Sequence, residues 1–188
     1  SLQTSGSGDV VVEQGARDIK LLSVQISDGS FTMSGGASVD LVDVRSMSNA
    51  DANDITITAA NNIYVRSVSA GVFATSDADK PEVKDAQGNA VSYSTLTSLG
   101  DVTLTATSGR VIETFVDDGV DVVADVLTIN AATGVTGLET AINTLNVTTN
   151  VGDIELSDTD GYLERAEGLD VERAVVTTST TSTANDDV

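Results

Sequence analysis

A chain of 188 residues, 40% of them hydrophobic, is long enough for one domain with a real core, and 29 acidic against 9 basic residues give it a formal net charge of −20. That charge repels phosphate backbones and anionic membranes, which argues against nucleic acid and lipid headgroups as partners. The chain has no Cys and no His, so disulfides, the commonest general base and the commonest metal ligand are all missing.

Aromatic residues make up only 3%, Trp is absent and Pro occurs once. The apolar residues are mostly Val, Ile, Leu and Ala, a set that suits many thin stacked layers better than one thick centre. No run of 18 apolar residues occurs, so no segment reads as a membrane-spanning helix.

Taken from the N-terminus, polar text (SLQTSGSGD) gives way to GDVVVE from Gly8, and close relatives of that line follow: NDITITA from Asn53, GDVTLTATSG from Gly100 and GDIELS from Gly152. The first inward-looking apolar residues are Val10, Phe31, Ile55, Val102, Leu127 and Ile154, each paired two residues on with Val12, Met33, Ile57, Leu104, Ile129 and Leu156. Their spacings are 21, 24, 47, 25 and 27 residues. The period is about 24, and the step of 47 marks a turn either missed or enlarged by an insertion.

A second strand start recurs at Ile19, Val39, Ile63, Val111, Val135 and Leu163, always 8 or 9 residues after the first. A third apolar position follows at Val24, Val44, Val68, Val116, Ile142 and Leu169. Three short alternating strands per period, separated by Gly, Asn, Asp and Ser, predict an all-β fold, a parallel β-solenoid of roughly six turns. The crossover preference makes it right-handed. An antiparallel sandwich is the rival, but it requires no fixed offset between strands and favours bulky aromatics in its core.

The whole of 1–188 reads as a single solenoid segment of a longer chain or polymer, with 75–98 as a loop or hairpin insertion. That stretch carries the one Pro and two of the lysines, together with turn residues.

Chemistry-bearing patterns are sparse. Asp117 with Asp118, and Asp158 with Asp160, are the acidic pairs nearest to catalytic carboxylates, but they fall in DDG and DTDG contexts where Asp is an ordinary turn residue. Ser157 to Gly161 (SDTDG) matches only the start of a calcium loop and lacks its distant Glu. No catalytic, cofactor or metal residue is therefore assigned, and calcium enters only as a screening ion for a strongly acidic rod.

Arg45, Tyr64, Arg66 and Tyr93 are the only candidates for a carbohydrate groove. Thr-rich lines such as TLTAT raise an ice-binding face, against which Lys20, Asp40, Tyr64 and Glu155 stand as interruptions at outward positions. Asn146-Val147-Thr148 forms a glycosylation-type triplet, expected by chance in an Asn- and Thr-rich chain.

One stretch points to a family. Asn130 to Gly161, with Gly137, Leu138, Glu139, Thr140, Ala141, Ile142, Asn143, Thr144 and Leu145 leading into Gly152-Asp153-Ile154, resembles the β-strand repeat tracts of giant bacterial surface and secreted proteins of the filamentous-haemagglutinin type. GLDVERAVVTTS from Gly168 is similar to text that follows in such tracts.

The resemblance implies an exported, elongated, structural or adhesive segment at the bacterial surface or outside the cell, and it names no ligand. The partners it implies are neighbouring repeats or identical subunits, with host or cell-surface ligands as further candidates. The expected function is a self-associating stalk or fibre without enzymatic activity. The alternative is a carbohydrate-binding or carbohydrate-cleaving β-helix.

Overall fold

The structure, a computed structural model, describes residues 1–72, 99–115, 119–158 and 173–178. Every regular element among them is a β-strand, every strand pairing is parallel, and the strands join one sheet network that does not close on itself. The fold is a parallel β-solenoid. Its strands form three ladders, because each coil contributes one strand to each face and pairs it with the equivalent strands of the coils on either side.

The first ladder runs through β2 (Val10–Gln14), β5 (Phe31–Gly35), β8 (Ile55–Ala59) and β11 (Val102–Ala106). It continues through the ends of β13 (Val122–Ala131) and β14 (Val135–Thr149) to β16 (Arg173–Thr178). Its registers are Val10↔Phe31, Phe31↔Ile55, Ile55↔Val102 and Val102↔Leu127, all expected from the spacing. The direct pairing of Ile55 with Val102 makes the 47-residue step a single enlarged coil. The insertion expected at 75–98 lies outside the described residues.

The second ladder joins β3 (Ile19–Leu21), β6 (Val39–Leu41), β9 (Ile63–Val65) and β12 (Val111–Glu113) to the start of β14. The third joins β1 (Leu2–Gln3), β4 (Val24–Ile26), β7 (Val44–Ser46) and β10 (Val68–Ser69) to the start of β13.

The expected pattern breaks after Leu127. The next rung of the first ladder is Leu145, only 18 residues on, and not Ile154. Ile154 and Leu156 belong to β15 (Ile154–Asp158) and stand on Val135 and Leu138, so Ile154 occupies the second-ladder place expected for Leu163. On the third ladder Val122 takes the place expected for Val116, and Thr140 rather than Ile142 aligns with it. Val116, Leu163 and Leu169 lie outside the described residues. The physical reason is a change of corner: β13 and β14 run on from the third face to the first without a turn, so this coil is shorter than the period.

Inward side chains build one continuous core. Phe31, Met33, Ile55, Ile57, Val102, Leu104, Leu127 and Ile129 are 0–1% exposed, and each stacks on its counterpart one coil away, so aliphatic columns replace a globular centre. At the corner after the first ladder the inward column narrows to Gly35, Ala59, Ala106 and Ala131. A Cβ on Gly35 would come within 2.7 Å of the Val39 Cγ2 atom, because the chain there turns back across its own next strand.

The recurring Gly-Asp line has a structural answer at the corner before the first ladder. Asp9 accepts the Ser30 N–H at 2.9 Å, Asp54 the Asp101 N–H at 3.0 Å and Asp101 the Val126 N–H at 3.2 Å. Asp18 and Asn62 do the same before the second ladder, accepting from Ser38 and Arg110. Each carboxylate or amide thus satisfies a corner N–H one coil further on, which the ladders themselves leave unpaired. Four of the 29 acidic residues, Asp9, Asp18, Asp54 and Asp101, serve this corner chemistry.

Candidate functional site

Of the residues singled out in the sequence, several are structural and some are not described. Arg45, on the outer face of the third ladder, donates from its Nε to Asp43 Oδ1 at 2.7 Å and makes a second bond from Nη2. Arg66 lies over the Phe115 ring, 4.8 Å from its centroid. Tyr64, on the second ladder, accepts from Asn62 Nδ2 at 3.1 Å. A carbohydrate groove drawing on all of these is not assembled: Arg45 and Tyr64 belong to different ladders, and Tyr93 lies outside the described residues.

Beside Tyr64 a shallow recess of about 300 Å³ is lined by Asp18, Lys20, Ser38 and Asp40. Lys20 and Asp40 form an ion pair there at 2.7 Å.

Asp117, Asp118 and Asp160 lie outside the described residues. Asp158 is not a turn residue; it ends strand β15, where its Oδ1 accepts from the Thr140 hydroxyl at 2.8 Å and from the Ile142 N–H at 3.3 Å. The first of these bonds satisfies the hydroxyl of Thr140, which is 0% exposed at an inward position.

The densest chemistry is a trio the sequence did not reveal. Carboxylate oxygens of Glu113, Asp121 and Glu139 lie within 4.8 Å of one another, and Asp121 is only 4% exposed. The ladders bring them together: Glu113 ends β12, while Asp121 and Glu139 each immediately precede a third-ladder residue in adjacent coils, Val122 and Thr140.

The Asp121 N–H donates to the Glu139 carbonyl at 2.8 Å, and the Glu139 N–H returns a bond to Asp121 Oδ2 at 3.1 Å. Gly137 makes room, since its φ of +76° suits glycine and a Cβ there would meet Glu113 Oε2 at 2.8 Å.

Burial pushes the Asp121 carboxyl up from 3.8 to about 8, against the lowering effect of the Glu139 N–H; the charge of Glu113, then the hydrogen bond and charge of Glu139, add to the rise. Near neutral pH Asp121 is therefore protonated and shares its proton within the trio. Glu139 Oε2 is a buried oxygen without a hydrogen-bond partner. Oxygen ligands suit a hard cation, but calcium takes roughly six to eight of them, and the shared proton already relieves the repulsion.

Asp101 is also raised, by burial first, with the Val126 N–H pulling it back and Asp54, Asp125 and Asp51 pushing it up. It stands in the acidic row at the edge of the first ladder.

The first ladder's outer face is the most regular surface. One rank runs Thr32, Thr56, Thr103, Thr128 and Asn146; a second, two residues further along each strand, runs Ser34, Thr58, Thr105, Asn130 and Thr148. Neither rank carries a charge over these five coils; the N-terminal rung, Val11 and Glu13, differs.

Lys20, Asp40, Tyr64 and Glu155, expected to interrupt such ranks, are not on this face: the first three are outer residues of the second ladder, and Glu155 lies between the two residues of β15 that pair with it.

No protein-family description, curated protein or solved structure matches the chain significantly.

Proposed function

We propose that the chain is a structural and adhesive repeat segment of a bacterial extracellular surface protein or filament of the filamentous-haemagglutinin type, acting as an elongated stalk or fibre. The observation that carries this reading is the unbroken first ladder, in which seven strands from β2 to β16 pair in parallel and the six from β2 to β14 repeat one inward–outward pattern. At about 4.8 Å per rung they give a rod of roughly 30 Å. Such a body extends by adding coils, and the corner Asp and Asn bonds between neighbouring coils stiffen it without needing a ligand.

Self-association has a physical basis in the edge strands. Among the described residues β1, β2 and β3 each pair on one side only, and an open edge is a template for a further coil, whether from the same chain or from a second copy.

Absence of enzymatic activity is part of the proposal. Its support is that the densest carboxylate cluster is half-buried around a buried Asp121 and that the recess beside Tyr64 is shallow, with its lysine held in an ion pair to Asp40. That recess is also what favours the second reading, a carbohydrate-binding or carbohydrate-cleaving β-helix.

The deciding experiment couples the 188-residue chain to beads and measures adhesion to bacterial and host cells, alongside polysaccharide depolymerisation by reducing-end release. Adhesion without depolymerisation supports the structural reading. Sustained reducing-end release that is lost in Tyr64→Ala would overturn it in favour of the alternative.

A further inference from the structure

We infer that the outer face of the first ladder is a surface that binds ordered water, with crystalline ice as its partner. Parallel strands in register set two repeats: about 4.8 Å from rung to rung, and about 6.6 Å between alternate residues of one strand. Thr103 and Thr105, with Thr56, Thr58 and Thr128 among their counterparts and Asn130 as the fourth, therefore present hydroxyl, methyl and amide groups on a regular two-dimensional grid. Because inward partners such as Leu104 are 0% exposed and packed in the core, and Thr is restricted at χ1, the grid is preorganised. A crystal lattice of water is a partner that rewards such order, since many weak contacts form together only when both surfaces keep the same repeat.

What the face lacks is as informative. Charged residues make up 20% of the chain, yet none stands at the ten outer positions of the two ranks, whereas Lys20 and Asp40 face out from the second ladder and Arg45 from the third. An uncharged face does not recruit phosphate, peptide or lipid headgroups by charge.

The two ranks also hold no aromatic platform for a sugar ring and no large apolar anchor for a protein. The neighbouring acidic row is engaged along the rod, half-buried Asp54 and Asp101 accepting backbone N–H groups of the next coil. Alongside the second rank a trough of about 140 Å³ runs between Thr105, Asn130 and Thr148 on one side and Thr107, Ala132 and Asn150 on the other. It is lined by hydroxyl, amide and methyl groups, which suits a row of bridging waters.

Ice-affinity partition tests this directly. The 188-residue chain is mixed with an inert protein of similar size, ice is grown slowly from the solution, and the protein content of ice and residual liquid is compared. The chain should enrich in the ice while the inert protein is rejected, and freezing should lag melting in a single-crystal osmometer. A Thr58→Lys, Thr103→Lys double variant should lose both effects. Thr136→Lys, on the outer face of the second ladder, should keep them.

Circular dichroism monitors folding of all three proteins. If the lysine pair fails to fold, Thr58→Val with Thr103→Val, which removes the hydroxyls and keeps the branching, replaces it and should weaken both effects. Rejection of the parent chain from ice, or equal incorporation of parent and face variants, overturns the inference.

Discussion

The coils built on residues 10–72 and the coil from Leu127 to Leu145 perform the same packing task with different corners. In the first, each face is a separate strand of two to five residues, and the corners between them are built from Gly, Asp, Asn and Ser, with Asp and Asn side chains accepting N–H groups from a neighbouring coil. Here Asn53 is central: 4% exposed, it accepts the Gly29 N–H at 2.9 Å and donates to Ser48 Oγ at 2.7 Å and Asp28 Oδ1 at 3.1 Å.

In the second, β13 and β14 round the corner as continuous strands of 10 and 15 residues, so the corner amide bonds become ladder bonds and the loop disappears. The shortened path brings Asp121 and Glu139 into register beside Glu113, and the cost of removing a turn is an acidic trio with Asp121 buried at its centre. Period in a solenoid is thus a property of corners, while the inward pattern is a property of faces.

The largest effect should come from breaking what both regions share. Ile57→Asp or Leu104→Asp places a charge at a 0% exposed position and should cost about 4–5 kcal/mol or abolish folding. Thr103→Asp, one residue away on the outer face, should stay within about 1 kcal/mol. Thermal unfolding distinguishes them, and similar losses at both sites would refute the inward–outward assignment.

A second test isolates the compact coil. Because the Asp121 carboxyl is raised to about 8 in the folded protein, the folded chain holds a proton that the unfolded chain has released above about pH 4. The contribution of this group to stability is therefore greatest in acid and falls as pH rises from about 4 to about 8. Asp121→Asn should be more stable than the parent at pH 8, by a few kcal/mol at most, and the difference should shrink toward pH 4. Denaturant melts at several pH values read this out; parallel pH profiles for the two proteins would mean that the trio holds no extra proton.

For the regular corners the matching test is Asn53→Ala, which leaves the Gly29 N–H without its partner and removes one of the two side-chain bonds to Asp28 Oδ1, the Ser48 hydroxyl keeping the other. It should cost about 1–3 kcal/mol with no change in pH dependence. A loss that grows with pH would assign the corner an electrostatic role it is not expected to have.

The smallest expected effect is a gain. Thr149 continues the narrow column of Gly35, Ala59, Ala106 and Ala131, is 0% exposed, and its hydroxyl oxygen has no partner. Thr149→Val keeps the shape and removes the buried hydroxyl, so it should stabilise by about 1 kcal/mol. Destabilisation would show that this corner is wetter than the others.

Much of the fold was legible because one signal is written at every face: alternation over three to five residues fixes which side chains point inward, and five of the six expected first-ladder positions pair as their spacing requires. Ile154 was misread for an equally physical reason. Its GDIELS context repeats the first-ladder line, but the same Gly-Asp corner also opens the second ladder here, and local text carries no record of which face it opens. Leu145 lies inside a long strand, between Asn143 and Asn146, with no Gly-Asp corner before it to mark a strand start. The carboxylate trio had no local signature either, since Glu113, Asp121 and Glu139 are ordinary acids until an 18-residue coil aligns two of them.

By itself the sequence determined the solenoid class, the aliphatic core and the polar, acidic corners, because composition and short-range periodicity act through the sterics of single strands. Only the tertiary structure decided which strand stacks on which, and so which outer residues share a face. Lys20, Asp40 and Tyr64 alternate along the chain in the same way as Thr32, Thr56 and Thr103, yet they stand on a different ladder, leaving the Thr ranks uninterrupted. Face membership depends on where each corner bends, and that is set by backbone bonds to the next coil, about two dozen residues away in sequence.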